Sequence, residues 1–199
     1  MITSLYMVRH AASPFVVGEE LKRGLSEQGL KDARVISDIL MNEEIALLIS
    51  SPYKRAIDTI SFLAEALNQE IHRYEELRER AIVSTEIEIA HEEILRGIER
   101  SFSDVNYKMQ GGESTLEAQK RVIPLIEKII NQYKGKKVAV GTHGNIMTII
   151  LNYFDQEYGY AFFAQTSKPD IYKLELDDLK LLRVERLWPA SCEAAPRGI

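Results

Sequence analysis

Three short stretches that are apolar throughout, Leu5–Val8, Ile45–Ile49 and Val138–Val140, set the strongest limit on how this chain can fold. Runs of that length read as strands covered on both faces, the situation inside a parallel sheet. A helical pattern follows each one. Ser26 is placed to cap a helix with Leu30, Ala33, Ile36 and Leu40 on one face. Ser51-Pro52 is a helix start signal, because Ser accepts a backbone N–H and Pro fits the first helical position. Ile57, Ile60, Ala64 and Leu67 recur behind it at spacings of three and four. Ile146, Ile149, Ile150 and Tyr153 form the face that follows the third run. Strand followed by helix, repeated, predicts an α/β chain: a three-layer α/β/α sandwich around a mostly parallel sheet.

The remaining segments fit around that frame. Glu86–Phe102 reads as a helix with Ala90, Ile94 and Ile98 aligned. Ser114-Thr115-Leu116-Glu117 is a capping box that opens a helix carrying Val122, Leu125 and Ile129. Pro124 falls inside that helix and is expected to bend it. Asp170–Leu176 and Leu181–Leu187 flank Asp177-Asp178 as two strands, an antiparallel hairpin or late strands joining an edge. Residues 76–114 break the strand–helix rhythm and are expected to form a cap beside the pocket within a single domain of residues 1–199. The Ala- and Pro-rich stretch 189–199 is expected to be loose.

Composition narrows the partners. A chain of 199 residues with 45% hydrophobic content can bury a proper core. Its net charge of −5 argues against nucleic acid or a membrane surface as the partner of the chain as a whole. Cys192 is the lone cysteine, so no disulfide framework forms within the chain, which fits a reducing cytoplasm. The N-terminus enters a strand without a basic region and a long apolar stretch, so no signal peptide is expected. No apolar run approaches the roughly 18 residues of a membrane span.

The chemistry gathers where the strands end. Ser4–Val8 delivers Arg9-His10 into a loop, Lys137–Thr142 delivers His143-Gly144, and Ser50 to Arg55 follow the middle run. In an open parallel sheet such loops meet at one edge, where ligands bind. Two histidines and two arginines there would make a pocket for a small anion such as phosphate, inside an otherwise acidic chain. Phosphate monoesters resist hydrolysis, so a catalyst must neutralise the anion, supply a nucleophile and protonate the leaving oxygen. A neutral imidazole can be that nucleophile, and neighbouring arginines disfavour imidazolium. Arginine also holds a phosphoryl group through forked, charge-assisted bonds. No His/Cys cluster at zinc spacing and no Asp-rich magnesium signature is present.

These motifs together resemble the histidine phosphatase superfamily, with its phosphoglycerate-mutase-like fold, in the bacterial phosphatase branch. Arg9-His10-Ala11 is similar to the signature Arg-His-Gly, and Leu25-Ser26-Glu27-Gln28-Gly29 to the opening of the first helix. Ser50-Ser51-Pro52 through Arg55-Ala56 and Thr59, Leu77-Arg78-Glu79, Gly112-Glu113-Ser114 and Thr142-His143-Gly144 follow in the family's order. The resemblance implies that His10 becomes phosphohistidine and that Arg9, Arg55 and His143 bind phosphoryl oxygens, with Ser13 and Gly144 as further substrate contacts. It implies that Glu79 protonates the leaving alkoxide and then deprotonates water, with no metal or other cofactor, which the missing metal motifs agree with. Glu76 is the alternative acid in the same charged stretch. The implied ligand is a small phosphorylated substrate or inorganic phosphate.

Departures bear on the activity. Ala11 stands for the usual Gly, and Val16 where many members carry a phosphate-binding Asn. After Glu79-Arg80 the mutases carry Tyr-Gly, whereas Ile82-Val83-Ser84 follow here. These favour a phosphatase over a phosphoglycerate mutase. Ala11 and Val16 also leave open a weakly active, phospho-ligand-binding regulator. Arg100 is either a substrate contact or a helix-surface charge, and Glu113 either orients the pocket or serves a turn. Ser114 and Glu117 read as capping residues, His72 as an edge-strand residue, His91 as a helix-face residue and Trp188 as packing.

Overall fold

The computed structural model describes residues 1–189 apart from 17, 85, 86 and 88. Cys192 and the loose tail expected over 190–199 lie outside the described residues. Among the described residues six strands and six helices appear in the order β1 (Ile2–Arg9), α1 (Glu27–Leu40), β2 (Leu47–Ser50), α2 (Lys54–Leu67), β3 (Ile71–Arg73), α3 (His91–Ser103), α4 (Thr115–Gln132), β4 (Lys137–Thr142), α5 (Gly144–Phe154), α6 (Tyr160–Gln165), β5 (Asp170–Asp177) and β6 (Lys180–Arg186). A 3-10 turn, Glu75–Leu77, follows β3.

The strands form one sheet in the order β3-β2-β4-β1-β5-β6. β3, β2, β4 and β1 run parallel, while β5 and β6 add an antiparallel hairpin beside β1. Alternation along β1 splits the core in two. Leu5 and Met7 face Val122, Ile126, Ile146 and Ile150 of α4 and α5. Tyr6 and Val8 face Ile36, Leu40, Ile60 and Leu63 of α1 and α2. Both sheet faces are thus covered, as the uninterrupted apolar runs require. Trp188 is buried in the second of these layers.

Local signals act largely as read. Ser26 accepts the Gly29 N–H at 3.0 Å to cap α1, and Ser114 and Glu117 form a reciprocal capping box on α4. α4 continues past Pro124. Helix α2 starts later than Ser51-Pro52 suggests. Tyr53 is its N-cap, and Ser51 sits ahead of the helix with its hydroxyl turned to His143. Helix α3 begins only at His91, because Ala90 has extended backbone angles, so the helix is shorter than Glu86–Phe102; residues 86 and 88 lie outside the described set. Tyr153 leaves the α5 core face and donates its hydroxyl to Glu127 at 3.0 Å. His72 lies on β3, at the sheet edge.

Candidate active site

Strand register builds the site. Arg9 pairs with Thr142 across β1 and β4, and Ser50 pairs with Gly141 across β2 and β4. One residue further on, His10, His143 and Ser51 therefore leave three adjacent parallel strands at the same edge. The rings of His10 and His143 lie 5.2 Å apart, edge to face, and Tyr53 contacts His143 at 5.1 Å. Arg55 comes from the first turn of α2, with its guanidinium 4.8 Å from the Tyr53 ring.

A hydrogen bond to a carbonyl assigns the tautomer of His10. His10 Nδ1 lies 2.8 Å from the Ala11 carbonyl. A carbonyl only accepts, so Nδ1 carries the hydrogen. Burial, then Arg55, then Arg9 and Lys168 hold the pKa of His10 well below its usual value. The ring is therefore neutral at physiological pH, with its lone pair on Nε2. His143 Nε2 lies 2.7 Å from Ser51 Oγ. That hydroxyl also accepts the Tyr53 N–H at 3.3 Å, and when it donates its own hydrogen to Nε2 the His143 Nδ1 is the donor. Burial first, then His10 and the arginines, keep His143 neutral as well.

The arginines are fixed by the chain around them. Arg9 donates to the Thr166 carbonyl at 3.0 Å and to the Thr166 hydroxyl. Arg55 donates to the Glu20 carbonyl at 2.7 Å and pairs with the Glu20 carboxylate at 3.1 Å. The carboxylate of Glu79 accepts N–H bonds from Asn145 at 3.1 Å and Ile146 at 2.9 Å, so it caps the start of α5 directly after His143. Buried polar atoms without a protein partner concentrate here. Arg9 Nε, Arg55 Nε, Thr142 Oγ1, His143 Nδ1 and Asn145 Oδ1 all belong to this edge, and among the described residues Arg80 Nε is the other such atom. Unpartnered buried polar atoms of this kind are costly, and the donors among them have the chemistry to meet an oxyanion.

The arrangement has known relatives. The profile of the histidine phosphatase superfamily (branch 1) matches residues 5–180. The chain belongs to that superfamily. Phosphoserine phosphatase 1 of Hydrogenobacter thermophilus is 29% identical over 153 residues, 71% of this chain and 71% of its own length. The metal-independent phosphoserine phosphatase of Arabidopsis thaliana is 29% identical over 161 residues, 75% and 67% of the two lengths. Among solved structures, a mycobacterial glucosyl-3-phosphoglycerate phosphatase superposes with a TM-score of 0.73 at 20% identity, covering 94% of this chain and 97% of its own. The fold is the phosphoglycerate-mutase-like α/β arrangement.

Other residues singled out by the histidine phosphatase pattern take more varied places. Gly144 opens α5 against Arg9, where any Cβ would lie 2.8 Å from the guanidinium carbon. Ser13 donates its hydroxyl to the Gly24 carbonyl at 2.7 Å and accepts from Arg23 at 2.7 Å, so it fastens the loop ahead of α1. Val16 is 46% exposed. Ala11 is buried, with its N–H on Thr59 at 3.0 Å and no left-handed backbone, so this position accommodates a methyl group. Arg100 lies 4.1 Å over the Tyr107 ring, on a cleft shared with Glu93 and Arg96 whose lining includes none of His10, His143, Arg9 or Arg55. Among the described residues no group of three His, Cys, Asp or Glu side chains is placed to hold a metal. No helix among them is long and apolar enough to cross a membrane.

Four residues escaped the sequence reading. Ser51 orients His143. Arg121 makes a two-pronged bond to Glu113 at 2.8 and 2.6 Å and donates to the carbonyls of Glu76 and Arg78 at 2.5 and 3.3 Å. The turn that carries Glu79 is thereby fixed to α4, and Glu113 acts through Arg121. Arg23 and Lys168 add positive charge around the histidines. A basic pair beside Gly24 and a lysine before Pro169 were visible in the sequence, but nothing in their spacing tied them to His10.

Proposed function

We propose that this chain is a metal-independent phosphomonoester hydrolase that acts on a small phosphorylated metabolite through a phosphohistidine at His10. The observation that carries the reading is the neutral His10 ring, with Nδ1–H held by the Ala11 carbonyl and Nε2 unprotonated amid Arg9, Arg55 and His143. Nε2 attacks phosphorus as the ester P–O bond breaks. Arg9, Arg55 and His143 Nδ1–H take the developing charge on the phosphoryl oxygens. Glu79 gives its proton to the leaving alkoxide. In the second half Glu79 takes a proton from water, whose oxygen attacks phosphorus, and the N–P bond breaks to release inorganic phosphate.

The phosphatase names of the two relatives support hydrolysis over mutase chemistry, as does Ile82-Val83-Ser84 in place of Tyr-Gly. The cytoplasm is the compartment that a chain with Cys192 as its sole thiol fits. Purified protein should hydrolyse p-nitrophenyl phosphate in EDTA, and acid-labile, base-stable label from a phosphorus-labelled ester should be trapped on His10. Activity that survives His10→Ala, or that disappears with chelator, refutes the proposal.

A further inference from the structure

The proposed mechanism leaves one fully buried carboxylate unused. Asp170 opens β5, has no exposed surface and pairs with Arg9 across β1 and β5. Its side chain meets donors only. Oδ1 accepts from the Ile171 N–H at 3.0 Å and from Arg186 Nε at 2.9 Å. Oδ2 accepts from the Ser167 N–H at 2.9 Å, from Arg186 Nη2 at 3.0 Å and from the Tyr172 hydroxyl at 3.2 Å. The two-pronged bond to Arg186 neutralises the buried charge, and the main-chain donors fix where the carboxylate sits.

One of those donors leads back to the phosphoryl pocket. The Thr166–Ser167 peptide is trans, so its carbonyl and its N–H point in opposite directions from one rigid plane. The N–H donates to Asp170, and the carbonyl accepts from Arg9 Nη1 at 3.0 Å. The Thr166 hydroxyl gives its own hydrogen to the Phe163 carbonyl at 2.7 Å and accepts from the same Nη1. Arg9 is thus gripped at Nη1. Its Nε is buried without a protein partner, and the edge formed by Nε and Nη2 lies against Gly144, next to His143.

We infer that Asp170 is a positioning residue that acts through the Thr166–Ser167 peptide to hold the Nε edge of Arg9 toward the phosphoryl group. This deepens the hydrolase reading and rests on it. Carboxylate, N–H, carbonyl and guanidinium form one line of hydrogen bonds in which each polarises the next. A planar peptide transmits orientation, so freeing its N–H lets its carbonyl, and Arg9 with it, turn. A simple charge effect predicts the opposite outcome. As a negative charge near Arg9, Asp170 repels phosphate, and its removal alone would tighten binding.

A binding cycle separates the two. Inorganic phosphate is titrated calorimetrically into the parent protein, Asp170→Asn, Arg9→Met and the double variant, with urea midpoints recorded alongside. Asp170→Asn turns an NH2 group toward donors on one side. It should weaken phosphate binding about tenfold, the size of one misaligned charge-assisted hydrogen bond. On the Arg9→Met background the same substitution should change Kd by less than about twofold, because the group it acts through is gone. Arg186→Lys keeps the charge but gives up the two-pronged bond. It should show a smaller loss with the same dependence on Arg9, and it carries the test should Asp170→Asn not fold. Unchanged or tighter phosphate binding in these variants, or equal losses with and without Arg9, overturns the inference while the hydrolase reading stands. Parent protein that binds no phosphate refutes that reading and the inference with it.

Discussion

Gly144→Ala separates catalytic placement from fold stability. Gly144 is the first residue of α5 and has no left-handed backbone angle, so alanine fits the main chain there. Its methyl group would lie 2.8 Å from Arg9 Cζ and 3.0 Å from Nε and Nη2. Normal carbon contacts begin at about 3.5 Å, so the guanidinium must move by roughly half an ångström or more. It cannot simply retreat without strain, because Nη1 is bonded to Thr166 and Phe163 lies 5.9 Å from Cζ.

Two stability terms oppose each other. Replacing glycine in a helix gains up to about 1 kcal/mol, and overpacking a buried contact costs about 1–3 kcal/mol. The net loss is then on the order of 1 kcal/mol. Misplacing a catalytic group by about 1 Å can cost on the order of a hundredfold in rate, so half that shift predicts about a tenfold loss. Steady-state kinetics on p-nitrophenyl phosphate should show kcat/KM about tenfold down, while the urea midpoint moves little. An enzyme with kcat/KM within about twofold of the parent would refute the reasoning, since Arg9 would then not depend on the bare backbone at 144. A stability loss well above about 3 kcal/mol would refute it too, by making the defect one of folding.

Three other outcomes follow from the same contacts. The folded pKa values of His10 and His143 lie well below about 6.5, so between those values and 6.5 the unfolded chain binds more protons; stability conferred by the neutral rings is complete above about 6.5 and lost as pH falls, and the urea midpoint should be lower at pH 5.5 than at pH 7.5, with an equal or higher midpoint as the refutation. Arg121→Met leaves the mostly buried Glu113 with only its 3.5 Å pair to the half-exposed Arg78, which should cost about 2 kcal/mol, and it frees the carbonyls of Glu76 and Arg78; kcat should fall more than KM rises, and an unchanged kcat would sever the link to Glu79. Glu79→Gln turns an amide NH2 toward one of the N–H donors of Asn145, Ile146 or Arg80, so it should lose about 1 kcal/mol as well as activity, with a larger rate loss on an alkyl phosphate than on p-nitrophenyl phosphate; equal losses on both esters would deny Glu79 the proton transfer.

Much of this architecture was legible because it rests on short-range pattern. The apolar runs around Leu5, Leu47 and Val138 became parallel neighbours with helices on both faces, and Ser26 and Ser114 cap the helices their chemistry suggested. Arg9, His10, Arg55, Glu79, His143 and Gly144 come together because strand ends in register share one edge. What was not legible depends on partners distant in the chain. Ser51 looked like a helix cap, yet its Oγ is bonded to a ring 92 positions away. No local pattern marks Arg121, which binds carbonyls of residues 45 and 43 positions earlier. Periodicity identifies which face of a helix is buried, but it does not say which remote backbone that face will meet. Tyr153 shows the opposite limit: it kept the helical spacing of a core residue, but its hydroxyl drew it to Glu127 at the surface.

The start of α5 explains how one short segment serves two purposes. A helix N-terminus presents unpaired N–H groups and a partial positive charge, an arrangement that commonly binds phosphate. Here the N–H groups of Asn145 and Ile146 go to Glu79, so the helix end holds a carboxyl group instead. In the proposed mechanism the anion is left to side chains: the forks of Arg9 and Arg55 and the Nδ1 of His143, the N-cap residue of that same helix. The acid and the imidazole donor are thus fixed to consecutive positions of one rigid element, and Arg121 ties the turn bearing Glu79 to α4, which packs beside α5 in the same core layer. Their mutual placement is set by helix geometry and not by loop conformation. In the proposed mechanism, variation between Arg80 and Gly112 would reshape substrate access while the distance between Glu79 and the phosphoryl site stays fixed.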